Sequence, residues 1–190
     1  MDCKKIDESV VGVILAGGKS SRMGSNKVYV KYKNKQLIEH AYLLLKRTGI
    51  STIIISGYIE GYKSIEDVQP HLGPIGGIYS VMSSLSEQTE NIVFIPVDMP
   101  LLKASLLIQL LGYAHDYPAV YYESYPLPFV INCNKKTNKI LLNMYSQLPK
   151  GGSMKNLLYN LKAKAIEVPN ELSLSFMNIN TVLDLSLLPD

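Results

Sequence analysis

The stretch "VILAGGKSSRMGSNKVYV", residues 13–30, joins an apolar run to a glycine pair and then to a basic polar segment. No aspartate or glutamate occurs between Val10 and Ile38, whereas five lysines and arginines occur between Lys19 and Lys33. Glycines let a ligand approach backbone N–H groups, and lysine and arginine side chains bind anions. The stretch therefore predicts a buried strand followed by a loop that binds an anionic ligand.

Two common phosphate-binding loops do not fit this stretch. A P-loop has the pattern GxxxxGK[ST], and Gly18-Lys19-Ser20 matches its end, but Val13 stands where the first glycine is required. The dinucleotide motif GxGxxG is not formed by Gly17 and Gly18 either. The anion-binding loop is therefore of another kind.

Strand and helix patterns alternate outward from this stretch. Apolar runs predict strands at 10–15, 52–56, 64–67 and 91–100, a strand-like end to the tyrosine- and proline-rich segment 117–133, and a short strand at 163–168. Helical spacing and helix-ending residues predict helices at 36–49, 73–85, 103–113, near 137–147, 153–161 and 181–188. The alternation predicts an α/β fold, a single Rossmann-like domain with a mostly parallel sheet flanked by helices.

Ligands of such sheets bind beyond the carboxyl ends of the strands. The 16–27 loop follows a predicted strand, and Asp67 and Asp98 lie at the carboxyl ends of two others. We therefore expect all three to lie at the same edge of the sheet.

Composition limits the class of protein. The 190 residues are 47% apolar and 18% charged with a net charge of +3, which predicts one domain over 1–190 with a loose N-terminus at 1–9. The mild charge does not favour a nucleic-acid or membrane partner, and no signal peptide or membrane span is predicted. Cys3 and Cys133 form neither a disulfide framework nor a zinc pattern. We expect a cytoplasmic protein.

Five segments carry a resemblance to a known family. "LAGGKSSRMGSNK" resembles the LAGGxSxRMGxxK signature of nucleotidyltransferases. More narrowly, the chain resembles the molybdenum cofactor guanylyltransferase family (MobA), because "GPIGGI", "VDMPLL", "YPLPFVI" and "NINTVLDL" are similar to that family's later motifs and follow in the same order. The matches extend over residues 11–186.

The resemblance implies a Rossmann-like nucleotidyltransferase fold and a reaction. GTP and the molybdenum cofactor (Mo-molybdopterin) would give the guanine dinucleotide form of the cofactor and pyrophosphate, with Mg²⁺ as the metal. GTP and Mo-molybdopterin are thus the implied partners, and molybdoenzyme apoproteins or their chaperones are further possible ones. We expect the protein to be a monomer.

The resemblance also implies three catalytic residues. Arg22 would hold the β and γ phosphates that leave, and Lys27 would stabilise charge on the α phosphate. Asp98, at the end of an apolar strand, would bind Mg²⁺. The acceptor phosphate is already anionic, so no strong general base is needed, and the scattered residues His40, His71 and His115 offer none. The alternative roles are a solvated basic surface for Arg22 and Lys27, and a turn before Pro100 for Asp98.

Further residues are implied in binding. Those for the nucleotide are Leu15, Ala16, Gly17, Gly18, Lys27, Ser56, Asp67 and Asp98, with Gly76 and Gly77 as points of close approach to the ribose. Ser56 stands where the family often has asparagine. Those for the acceptor substrate are Asn178, Asn180 and Lys155. Val182 and Leu183 replace a proline and a glutamate of the last motif, which leaves the start of the final helix less fixed.

Three alternative functions stay open from the sequence. A related nucleotidyltransferase could use CTP or a sugar phosphate. A GTP-binding or NTPase module is disfavoured by Val13. A relative that binds the cofactor without catalysis is disfavoured by the presence of Arg22, Lys27 and Asp98.

Overall fold

The structure, a computed structural model, describes residues 8–16, 27–148 and 152–188. Strands β1–β9 are, in order, Val10–Leu15, Lys31–Tyr32, Lys35–Gln36, Thr52–Ser56, Ser64–Ile65, Asn91–Pro96, Ala119–Tyr122, Tyr125–Asn132 and Lys164–Ile166. Helices α1–α6 are Leu37–Arg47, Gly73–Ser84, Ala104–Tyr113, Lys135–Tyr145, Met154–Asn160 and Val182–Ser186. Short 3₁₀ segments occupy Lys27–Tyr29 and Asn170–Phe176.

Strand β1 is the centre of the fold. All six of its residues are buried, as a continuous apolar run predicts for a strand covered on both faces. Gly12 lets α1 pack closely, because a Cβ atom at this position would lie 2.9 Å from Leu45 Cδ1. Helix α1 therefore presses its apolar side directly onto the middle of β1.

Seven strands form one sheet in the order β5-β4-β1-β6-β8-β7-β9. The pairs β4–β5, β1–β4, β1–β6 and β7–β9 are parallel, whereas β8 is antiparallel to both β6 and β7. Helices α1 and α3 cover one face, and α2, α4 and α5 cover the other. This arrangement confirms the predicted α/β class with a mostly parallel sheet flanked by helices.

The segment 117–133 differs from its sequence prediction. It forms two strands joined by the two-residue turn Glu123–Ser124, in which Ser124 has φ +69°. The predicted strand-like end of this segment lies in β8, but its antiparallel direction was not predicted, because apolar residues do not reveal strand direction. Its central position is stabilised by stacking of Phe129 on Phe94 of β6, with ring centroids 5.1 Å apart.

The small hairpin of β2 and β3 was also not predicted. Its two turn residues, Lys33 and Asn34, both have positive φ, which is the geometry of a type I′ turn. A lysine at the first position is an uncommon signal for that turn. Within the described ranges, no helix is long and apolar enough to cross a lipid bilayer.

Candidate active site

Three strand ends meet at the carboxyl edge of the sheet. The Ala16 N–H donates to the Ser56 carbonyl at 3.3 Å, and the Val97 N–H donates to the Leu15 carbonyl at 3.3 Å. Strand β1 lies between β4 and β6, so the chain switches sides at β1. In open α/β sheets a crevice for ligands forms at such a switch point.

Lys27, Asp98 and Asn180 form a cluster at this edge, which we call the ion-pair cluster. Lys27 Nζ donates to Asp98 Oδ2 at 2.6 Å and to Asn180 Oδ1 at 2.9 Å. The Lys27 and Asp98 side chains are only 17% and 20% exposed. Because they are shielded from water, their attraction is stronger than that of a surface pair. This direct contact is not among the sequence expectations.

One carboxylate oxygen of Asp98 lies outside the ion pair with Lys27. Its Oδ1 atom is buried and has no hydrogen-bond partner among the described residues. A buried carboxylate oxygen without a partner is unfavourable unless a ligand satisfies it. Asp98 therefore presents a binding atom for a cation or a donor group beside the Lys27 ammonium.

The turn that carries Asn180 is attached to the Asp98 loop. The Ile179 N–H donates to the Asp98 carbonyl at 2.9 Å, and the Ile179 side chain is fully buried. Asp184 Oδ2 accepts from the backbone N–H groups of Asn180 at 2.7 Å and Thr181 at 2.8 Å. These two backbone hydrogen bonds are the main cause that lowers the pKa of Asp184.

This turn also corrects one sequence expectation. Helix α6 has a well-defined start despite Val182 and Leu183, because Thr181 and Asp184 form a capping box. Asp184 was not predicted as a functional residue. The spacing of Thr181 and Asp184 is the signal that could have indicated its local role.

Ser56, Asp67 and Gly77 form a second group, the serine–aspartate cluster. Ser56 is buried at the end of β4, and its hydroxyl and the Asp67 carboxylate both face Gly77. Gly77 of α2 makes room for both side chains. A Cβ at Gly77 would collide with Ser56 Oγ and would lie 3.4 Å from Asp67 Oδ1.

The Asp67 carboxyl group titrates differently from that of Asp184. Partial burial raises the pKa of Asp67, and the neighbouring His71 and the Ser56 hydroxyl only partly oppose this effect. A half-buried carboxylate in this position can accept N–H donors of a ligand.

The other residues predicted at the site have varied positions. Leu15 is buried, so it can offer a ligand only its backbone, whereas Asn178 is exposed on the Asn180 turn. Lys155 is exposed on α5, and no contact within the described part of the chain joins it to the ion-pair cluster. Gly17, Gly18 and Arg22 lie outside the described residues.

The arrangement is suited to holding a polyphosphate. It offers one ammonium group and one carboxylate whose second oxygen has no partner within the described ranges. No group of three or more His, Cys, Asp or Glu side chains that could bind a metal by themselves occurs in the described ranges. A metal at Asp98 would therefore need ligands from the substrate as well, as Mg²⁺ commonly has.

Comparison with known proteins identifies the family. The model of the MobA-like NTP transferase domain matches residues 12–157. The chain belongs to this family. It is 34% identical, over 90% of its length and 89% of the other protein, to a molybdenum cofactor guanylyltransferase from Xanthomonas euvesicatoria. A probable molybdenum cofactor guanylyltransferase from Clostridium perfringens is 30% identical over 89% of this chain and 90% of its own.

A solved structure supports the same fold. The molybdopterin-guanine dinucleotide biosynthesis protein A from Archaeoglobus fulgidus superposes with a TM-score of 0.73 at 24% identity, covering 93% of this chain and 95% of its own. Membership of the family confirms the resemblance drawn from the five motifs. It also confirms that the chain is a nucleotidyltransferase enzyme.

Proposed function

We propose that this protein transfers GMP from GTP to the terminal phosphate of the molybdenum cofactor, Mo-molybdopterin, and releases pyrophosphate. The names of the relatives support the substrates. The observation that carries the proposal is the ion-pair cluster, in which Lys27 lies 2.6 Å from Asp98 and Asp98 Oδ1 has no partner among the described residues. A cation and an available carboxylate oxygen side by side are what a metal-bound triphosphate needs.

The nucleotide would lie across the ends of β1, β4 and β6. The backbone at Leu15, Ala16, Gly17 and Gly18 would approach the phosphates. The serine–aspartate cluster would contact the base or ribose, because the Asp67 carboxylate can accept the N–H donors of guanine. Gly77 would act only indirectly, because the space it leaves is occupied by Ser56 and Asp67, and Gly76 faces Leu72, so the expected close approach of the ribose to these two glycines is not part of the proposal.

The residues fit a magnesium ion at Asp98. Asp98 Oδ1, which has no partner in the described part of the chain, is the protein atom that would bind it, and phosphate and water oxygens would supply the other ligands. Bound there, Mg²⁺ would neutralise phosphate charge and polarise the α phosphate.

The chemistry depends on positioning and charge. An oxygen of the acceptor phosphate attacks the α phosphorus, and the bond between that phosphorus and the bridging oxygen breaks, so that pyrophosphate leaves with the electron pair. Lys27 would stabilise the charge that grows on the α phosphate, and Arg22 the charge on pyrophosphate. A phosphate monoester loses its second proton near pH 6, so the acceptor needs no base.

The acceptor would lie on the Asn180 side of this centre. Asn178 and Asn180 are both exposed on the turn attached to the Asp98 loop, where they can meet a second substrate. Lys155 would contact the acceptor only if the acceptor extends towards α5. Molybdoenzyme apoproteins or their chaperones as partners, the monomeric state and the cytoplasmic location stay predictions.

A competition assay tests the proposed function. Purified protein is incubated with Mo-molybdopterin, Mg²⁺ and an equal mixture of the four nucleoside triphosphates, and the dinucleotide products are separated by chromatography. We expect the guanine dinucleotide and one pyrophosphate per product. A cytosine dinucleotide as main product would indicate a cytidylyltransferase, and GTP hydrolysis without any acceptor would indicate an NTPase.

A further inference from the structure

The ion-pair cluster contains a conflict that the proposed reaction must resolve. Asp98 Oδ2 holds the Lys27 ammonium at 2.6 Å, yet the same carboxylate would also bind the metal ion. A divalent cation competes with an ammonium group for one carboxylate, since both gain their energy from its negative charge. A metal on Oδ1 would share the Asp98 charge with the Lys27 ammonium on Oδ2 and weaken their attraction, so a second contact helps to keep Lys27 near the α phosphate.

Asn180 provides such a contact. Its Oδ1 atom accepts from Lys27 Nζ at 2.9 Å, and an amide oxygen carries no net charge that would attract the metal away from Asp98. Asn180 is exposed, so its own packing does not hold it in place. Its position depends on the backbone of the turn.

Two anchors fix this backbone from opposite sides. Ile179 is fully buried and donates its N–H to the Asp98 carbonyl at 2.9 Å. Asp184 accepts from the N–H groups of Asn180 and Thr181 at 2.7 and 2.8 Å. The backbone on both sides of the Asn180 side chain is thereby held, and the side chain points its oxygen at Lys27.

We propose that Asp184 is a positioning residue for the reaction: through Asn180 it keeps Lys27 directed at the α phosphate when Asp98 also holds the metal. This inference rests on the proposed function. It adds a residue that touches neither nucleotide nor metal and acts on Lys27 through one intervening side chain. The Lys27 charge is a minor further cause that lowers the pKa of Asp184, after the backbone hydrogen bonds from Asn180 and Thr181.

A purely structural role is the alternative, because Asp184 also belongs to the capping box of α6. The chain offers a matched control for that role. Asn134 caps α4, where its side chain accepts from the N–H groups of Lys136 and Thr137 at 3.0 Å each. Loss of either cap removes two backbone hydrogen bonds, but only the Asp184 cap is next to the ion-pair cluster.

The experiment is a double-mutant cycle of Asp184→Ala and Lys27→Ala, with Asn134→Ala as the control. We measure kcat and KM for dinucleotide formation, the affinity for Mg·GTP by calorimetry, and the melting temperature. We expect Asp184→Ala to lower kcat about tenfold in the wild-type background and less than twofold in the Lys27→Ala background. Asp184→Asn, which keeps an accepting oxygen, should recover most of the lost rate.

Several results would overturn the proposal. Equal fold-losses in both backgrounds would mean that Asp184 acts independently of Lys27, and a kcat loss in Asn134→Ala matching that of Asp184→Ala would reduce the effect to lost stability. If Asp184→Ala does not fold, Asn180→Ala carries the same cycle, because it removes the exposed side chain between Asp184 and Lys27 and keeps both backbone anchors. The calorimetric cycle measures the affinity for Mg·GTP and needs no acceptor, so it tests Asp184 even if no guanylyl transfer occurs. Absence of guanylyl transfer would count against the proposed function alone.

Discussion

The two clusters at the carboxyl edge of the sheet place their carboxylates in different surroundings. Asp98 has an ammonium group 2.6 Å away, whereas Asp67 has a serine hydroxyl and partial burial that raises its pKa. The ion-pair cluster therefore offers strong charges that can be exchanged between metal, phosphate and protein. The serine–aspartate cluster provides a closely packed surface and hydrogen-bonding groups for a ligand. We expect changes in the first to act on kcat, and changes in the second to act on KM and base selectivity.

The largest effect should come from Asp98→Asn. The amide keeps the size of the side chain but removes the charge that would hold the metal against the phosphates. We expect kcat to fall about a thousandfold, with little change in GTP affinity measured without metal. Steady-state kinetics and calorimetry check this.

Asp116→Asn, in the exposed turn after α3, is the control for charge removal. Wild-type kcat and unchanged Mg²⁺ dependence in Asp98→Asn would show that Asp98 is a turn residue before Pro100 and does not bind the metal.

The next effect should come from Lys27→Ala. Loss of a charge contact with the transition state costs on the order of 3 kcal/mol, or about a hundredfold in kcat. The variant should also melt at a lower temperature without metal, because the shielded Asp98 carboxylate loses its cation. Kinetics and thermal unfolding followed by circular dichroism measure the two effects. Lys31→Ala, at an exposed lysine of β2, should change neither, and near-normal kcat in folded Lys27→Ala would contradict the role.

A smaller effect, and one of a different kind, is expected from Gly77→Ala. The new Cβ would collide with Ser56 Oγ and displace the serine–aspartate cluster. We expect KM for GTP to rise about tenfold with kcat changed much less, and Ser56→Ala in the same chain to relieve the collision.

Gly112→Ala in α3 is the matched control, since nothing lies within 4 Å of a Cβ there. A large loss of kcat with unchanged KM in Gly77→Ala would contradict the assignment of the serine–aspartate cluster to KM and of the ion-pair cluster to kcat.

The smallest effect concerns stability. Because the folded-state pKa of Asp67 is raised, its favourable contribution is complete below the ordinary value of 3.8 and is lost as pH rises through the folded-state value. Asp67→Asn should therefore melt higher at pH 7, by on the order of 1 °C, and show no gain at pH 3. It should also lose selectivity for GTP.

Melting curves at the two pH values measure the effect, with Glu66→Gln at the exposed neighbouring position as control. A lower melting temperature of Asp67→Asn at pH 7 would contradict the prediction.

Much of the first half of the fold could be predicted from sequence. The run at 10–15 and the run at 52–56 are buried strands with the predicted bounds, because continuous apolar segments between turn residues have few alternatives. The direction of β8 could not be predicted, since the same apolar residues suit parallel and antiparallel neighbours. The type I′ turn at Lys33–Asn34 lacks the usual glycine signal.

The site was predictable to a similar extent. Strand ends and motifs indicate Lys27, Asp98 and Asn180, but contacts between residues 153 positions apart, such as Lys27 with Asn180, depend on how the chain folds back. The role proposed for Asp184 was missed because it depends on the attachment of the Asn180 turn to the Asp98 loop, which the sequence does not show. The pairing of Ser56 with Asp67 was missed because it depends on the space left by Gly77.

The reversed strand β8 has a consequence for how this scaffold can diversify. Because β8 is antiparallel to both neighbours, β7 and β9 run parallel to β6 and end at the same edge as Asp98. The exposed two-residue turn Glu123–Ser124 opens at that edge as well. Exposed turns tolerate insertions well. Longer loops can therefore be grafted at this turn and after β9 to reshape the acceptor side, while the strand ends of β1 and β4 stay untouched.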